Sequence, residues 1–139
     1  MKKFLHLLFL GGIIVFCSYL SAYYFGPEAR VKWWIDNVFH FWGGIYAFFF
    51  IRYLYYLTKK YHNTTTTFLF EIMIFAGGAL ILGVLWEWYE FIFAYQYGIF
   101  ALSQQSITTY TDTIIDLTLD LFGALSAGFY LVIKNDKSE

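Results

Sequence analysis

FLFEIMIFAGGALILGVLWEWYEFIFAY, residues 68–95, decides the class of this fold. Its only charged side chains are Glu71, Glu87 and Glu90, and nothing between Ile72 and Trp86 is charged. A helix needs about 20 apolar residues at roughly 1.5 Å each to cross about 30 Å of hydrocarbon, and this run exceeds that length. Three further runs accompany it, from about Phe4 to Phe25, about Trp34 to Leu57 and about Thr111 to Ile133. Together they predict an all-α polytopic membrane protein, a single transmembrane domain over residues 1–139 with four transmembrane helices in a bundle at about 4–25, 34–57, 68–95 and 111–133. Between the runs lie Gly26-Pro27-Glu28-Ala29-Arg30-Val31-Lys32, then Thr58-Lys59-Lys60-Tyr61-His62-Asn63 with four threonines behind it, then Gly98 to Tyr110 around Ser103-Gln104-Gln105-Ser106. Each reads as a loop.

Composition agrees with that class. The chain is 60% hydrophobic, 25% aromatic and 14% charged, with a mean hydropathy of +0.56. This excludes a disordered chain, and nine Lys and Arg with ten Asp and Glu are too few to cover a water-soluble domain of 139 residues. A net charge of -1 and the lack of any Lys/Arg-rich tract argue against nucleic acid as a partner. The one cysteine, Cys17, has no internal disulfide partner and sits within an apolar run, where it reads as a small buried hydrophobe. Lys2 and Lys3 ahead of the first run resemble a signal peptide, but Leu20 and Phe16 spoil the small-residue pattern of a cleavage site. The first run therefore reads as an uncleaved transmembrane helix.

Lys and Arg are retained on the cytoplasmic side during insertion. A four-span chain puts Lys2, Lys3, Lys59, Lys60, Lys134 and Lys137 on one side, with Arg52 able to snorkel towards it, and only Arg30 and Lys32 on the other. The expectation is a multi-pass protein of the cell's inner, cytoplasmic membrane with both termini in the cytoplasm.

A charge in hydrocarbon costs about 2.5–3.5 kcal/mol even on lenient insertion scales. Seven ionisable residues nevertheless fall inside the spans: Asp36 and His40 in the second, Glu87 and Glu90 in the third, Asp112, Asp116 and Asp120 in the fourth. Each residue of a helix advances about 100°, so Asp36 and His40 share a face, Glu87 and Glu90 form an i, i+3 pair, and the three aspartates form a ladder. In the deduced topology all seven lie in the outer half of the membrane, at depths that let three helices present them to one cavity. Carboxylates packed so closely need protons, a cation or a cationic partner, and Arg30 and Lys32 are candidates for that partner. His40 with two or three of Glu87, Glu90, Asp116 and Asp120 makes an oxygen-rich set suited to a divalent metal ion such as Mg, Mn, Fe or Zn. The plainer alternative has these residues bonding one another across helices, with Asp112 as the N-cap of the last.

Trp33, Trp34, Trp42, Trp86 and Trp88 all fall towards the outer side. Interfacial anchoring suits the first two, while the deeper rings, Trp86 among them, are candidates to shape a pocket beside the acids. Gly43-Gly44, Gly77-Gly78, Gly123 with Ala127 and Ala124 with Gly128 permit close helix approach. Arg52, Glu71 and His62 read as a cytoplasmic interface with possible pairing. No phosphate-binding loop, nucleophile elbow or Ser/His/Asp set is present, so catalytic residues are not assigned.

Three segments carry a resemblance: Asp36-Asn37-Val38-Phe39-His40-Phe41 followed by Gly43-Gly44, then Trp86-Glu87-Trp88-Tyr89-Glu90-Phe91, then Asp112-Thr113-x-x-Asp116-x-x-x-Asp120-x-x-Gly123-Ala124. Over about residues 33 to 128 the chain resembles the VanZ-like membrane proteins and, more closely in the Trp-Glu-x-x-Glu segment, the YjdF-type inner-membrane family. Asn37 stands where VanZ-like proteins usually have Lys, Glu90 where they have Gln, and Asp120 where they have Asn, which favours the YjdF-type resemblance. The resemblance implies His40, Glu87, Glu90, Asp116 and Asp120 as a polar core and implies no reaction. The leading expectation is an outward-facing cavity that binds a cation or a polar envelope ligand. Its alternatives are an accessory subunit in a larger membrane complex, docked on other subunits or a second copy and on membrane lipids, and a metal-dependent enzyme on lipid-linked substrates with His40 and Glu87 as base and acid.

Overall fold

The computed structural model describes residues 2–32, 35–59, 61, 66–97 and 107–136, and these form four helices: α1 (Lys2–Lys32), α2 (Ile35–Lys59), α3 (Phe68–Tyr97) and α4 (Ile107–Asp136). No strand occurs among the described residues. The start of α3 is set by Thr67, whose carbonyl accepts the first helical hydrogen bond from Glu71 N at 3.0 Å. In α1, α3 and α4 the stretches Phe4–Ser21, Phe68–Ile92 and Tyr110–Lys134 are long and apolar enough to cross a membrane. α2 is long enough, but Asp36, His40, Arg52, Lys59 and its tyrosines lower its hydropathy.

Two segments expected to be loops are helical in part. α1 continues through Gly26-Pro27 to Lys32. Pro27 removes a single backbone donor, and the good helix formers Glu28, Ala29, Arg30 and Lys32 carry the helix on beyond it. α4 begins at Ile107. The N–H groups around Asp112 therefore already have partners within the helix, and Asp112 is not an N-cap.

The helices run alternately up and down. The rings of Phe4 and Tyr53 stack 6.0 Å apart, and a Cβ on Gly128 would stand 2.9 Å from Ile72, so the starts of α1 and α3 and the ends of α2 and α4 share one end of the bundle. α2 is central and touches all three other helices, whereas α1 packs, among the described residues, against α2 alone. A bilayer gives apolar side chains no reward for leaving lipid, so helix association rests on close contact, which small residues permit. At the α2–α4 seam a Cβ on Gly44 would overlap the main chain of Asp120, and one on Gly123 would overlap the carbonyl of Phe41. Of the Gly77-Gly78 pair only Gly78 serves packing, against Ile51, and the space around Gly77 is open. The tightest apolar packing, around Phe48, Phe75, Ala124 and Leu131, belongs to α2, α3 and α4. Phe48 and Phe75 meet edge to face with ring centres 5.4 Å apart.

Large apolar side chains such as Phe9, Phe16, Ile81 and Phe122 cover the outside. Hydroxyls on that surface have no water to meet, and Thr118 and Ser126 donate to the carbonyls of Ile114 and Phe122 in their own helix at 2.6 and 2.8 Å. Cys17 is exposed on this surface rather than buried, because most of the circumference of α1 has no helix against it.

Candidate functional site

His40 lies in the second turn of α2, where α2, α3 and α4 meet, and its side chain is 3% exposed. Nδ1 is 3.4 Å from Asp120 Oδ2 on α4. Nε2, on the opposite side of the ring, is 3.7 Å from Glu87 Oε1 on α3 and 3.8 Å from Asp116 Oδ2 on α4. A carboxylate at Nδ1 favours the tautomer with its proton there, which leaves the Nε2 lone pair facing the other two acids. Those separations are too long for hydrogen bonds. His40 Nε2, Glu87 Oε1 and Asp116 Oδ1 are buried with no hydrogen-bond partner. The second oxygen of Glu87 accepts a hydrogen bond from Thr113 at 2.9 Å, which orients the carboxylate.

Asp36, one turn before His40 on the same face, is buried as well. Donor atoms of Asp36, His40 and Asp116 lie within 4.8 Å of one another, and so do those of His40, Glu87 and Glu90. The structure thus brings together Asp36, His40, Glu87, Glu90, Asp116 and Asp120. Asp112 lies a turn before Asp116, half-buried and outside both of these sets. The side chains of Arg30 and Lys32, the expected counter-charges, lie outside the described residues, as do Trp33, Trp34 and His62. Trp86 lines a cavity of about 340 Å³ next to the cluster, bounded by α1, α2 and α3 with Asp120 at its wall. Trp42 and Trp88 point away from the bundle.

Removing several ionised groups from water costs several kcal/mol each unless opposite charge and hydrogen bonds compensate. A divalent cation would supply that compensation. Ligand atoms each about 2.1 Å from one cation stand about 3.0–3.4 Å apart, so His40 Nε2 needs to close by only a few tenths of an ångström on Glu87 Oε1 and on Asp116 Oδ2.

A family profile described as a predicted membrane protein matches residues 2–137. The chain belongs to this family, DUF2238. No curated protein and no solved structure matches it. Membership covers all four helices and so places the polar cluster within a membrane protein, in agreement with the fold.

Two features of this family member go beyond what its sequence assigns. Thr113 was visible as the residue one turn before Asp116 on the same helix, a position from which a hydroxyl reaches a neighbouring acid. The second feature lies at the other end of the bundle. Glu71, in the first turn of α3, is buried among its neighbours, and it accepts hydrogen bonds from Lys59 Nζ at 2.6 Å, Thr66 Oγ1 at 2.8 Å and the Tyr56 hydroxyl, with the Tyr55 hydroxyl at 3.5 Å. Its cation is Lys59, while the Arg52 guanidinium stacks 5.1 Å from the centre of the Tyr56 ring. The hydrogen bond to Glu71 holds the Lys59 ammonium above the ordinary lysine value.

Proposed function

We propose that this protein binds a divalent cation inside the membrane, through His40 Nε2, Glu87 and Asp116, with Asp36 and Glu90 completing the site. The reading is carried by one observation: His40 Nε2 is buried without a hydrogen-bond partner, with Glu87 Oε1 at 3.7 Å and Asp116 Oδ2 at 3.8 Å, so good metal ligands from three helices converge on one nitrogen. Asp120 behind Nδ1 adds the carboxylate–histidine pairing that commonly orients a metal-binding imidazole. Four carboxylates with one imidazole suit Mg, Mn, Fe or Zn. The segments that resemble VanZ-like and YjdF-type proteins are the ones that meet at this cluster, which supports placing the protein's activity there. The lysines at the opposite end support a cluster facing the cell exterior in an inner-membrane protein.

The test is titration of chelator-stripped protein in mild detergent with Mn²⁺ and Zn²⁺, followed by thermal unfolding. A cation that binds only the folded state adds about 2.7 kcal/mol at a hundredfold excess over Kd. Wild type is expected to show a rising midpoint and His40→Ala none. A wild-type midpoint that ignores every divalent ion favours instead an accessory subunit whose acids serve helix packing alone.

A further inference from the structure

The cavity beside the cluster falls within the roughly 300–1,000 Å³ of small-molecule sites. Its two ends differ in chemistry. Ser18, Asp36 and Trp86 stand at one end, and Leu8, Ala47 and Ala79 at the other. From Asp36 to Ala47 it follows α2 for about 16 Å at roughly 1.5 Å per residue, so its long axis lies along the helices and along the chains of any surrounding lipid. α1 and α3 both line the cavity but, among the described residues, do not pack against each other. The slot between them therefore opens sideways to the bilayer. Over the Leu8–Ala47–Ala79 end a water molecule would find too few polar partners to be held, and hydrocarbon is the filling available.

The chemistry of the polar end selects the head of that occupant. Asp36, His40 and Asp120 line it, no Lys or Arg is among the described lining residues, and the rings of Phe39 and Trp86 stand beside the acids. By formal charge the cluster stays acidic even with one divalent cation bound. Carboxylates flanked by aromatic faces recognise an ammonium group, whereas an anionic head would meet like charge.

We infer that the cavity receives one hydrocarbon chain of an amine-headed membrane lipid, with its ammonium at Asp36 and Asp120 and its chain running towards Ala47 and Ala79. The inference rests on the reading of the His40 cluster as a cation-binding site and adds an organic cation as a second occupant. Gly12 provides the means to test it. Gly12 borders the cavity, and no atom lies within 4 Å of where its Cβ would be, so a large side chain there fills the slot without striking the protein. Gly77 has the same open surroundings on the exposed side of α3 and serves as the control.

The experiment uses nanodiscs of unlabelled phosphatidylglycerol containing a trace of phosphatidylethanolamine with a photoreactive diazirine on one acyl chain, and maps the cross-links by peptide mass spectrometry. Wild type and Gly77→Phe are expected to carry label on the cavity faces of α1 and α3. Gly12→Phe should lose roughly tenfold of it, Gly12→Leu should lose less, and phosphatidylglycerol with the same diazirine should label roughly tenfold less than the amine-headed probe. Gly12→Phe leaves His40, Glu87 and Asp116 unchanged, so its metal uptake separates failure of this inference from failure of the cation reading. Label confined to the outer helix faces, or unchanged in Gly12→Phe, would overturn the inference. Equal labelling of the cavity by the two head groups would overturn the ammonium assignment.

Discussion

His40 Nδ1 lies 3.4 Å from Asp120 Oδ2 across the α2–α4 seam, and this pairing turns the other ring nitrogen towards Glu87 and Asp116. On the proposed reading, Asp120 would act on a bound cation through the imidazole. Asp120→Asn keeps the shape of the side chain but removes the charge that strengthens His40 as a ligand. Cation affinity is expected to fall by about 10- to 100-fold, with the unfolding midpoint of the cation-free protein little changed. Titration of the variant beside wild type checks this, and equal affinities would remove Asp120 from the site.

Two glycines that both face Asp120 should respond differently. A Cβ on Gly44 meets the main chain of Asp120, whereas a Cβ on Gly83 meets only its carboxylate, which can swing aside. Gly44→Ala forces the α2–α4 seam apart and is expected to cost about 1–3 kcal/mol of stability, the usual range for overpacking. Gly83→Ala should spare most of the stability and weaken cation binding, because it displaces the carboxylate that orients His40. Thermal unfolding and metal titration of both variants separate the two effects.

The Glu71 group should act independently of the cluster. Glu71→Gln and Tyr56→Phe remove parts of one buried hydrogen-bonded set, so both are expected to lower the unfolding midpoint and leave metal content unchanged. The effect of pH follows from Lys59. Its folded value is raised above the ordinary 10.5, so the pairing stabilises the fold fully below that value and its contribution is lost as pH rises through the folded value. The difference in midpoint between wild type and Lys59→Met should hold through neutral pH and shrink in strong alkali.

Much of this architecture was legible in the residues. Runs such as Phe68–Tyr95 have one stable form in lipid, and their alternating direction sets Asp36, His40, Glu87, Asp116 and Asp120 at one depth. Helical spacing alone did not tell which acids touch His40, because the rotation of each helix is set at the seam by Gly44 and Gly123. The loose attachment of α1, and with it the exposure of Cys17, left no sign in the sequence, since an apolar residue facing lipid looks the same as one facing protein. The Glu71 group was hidden for a related reason: Tyr55 and Tyr56 read as part of an apolar run until the fold showed both hydroxyls directed at one carboxylate.

The most direct measurement is the metal content of the protein, purified gently and without chelators, by elemental mass spectrometry for wild type, His40→Ala and Glu87→Gln. The account predicts near-stoichiometric divalent metal in wild type and its loss in both variants. A wild-type protein free of metal, or one whose metal survives His40→Ala, would contradict it.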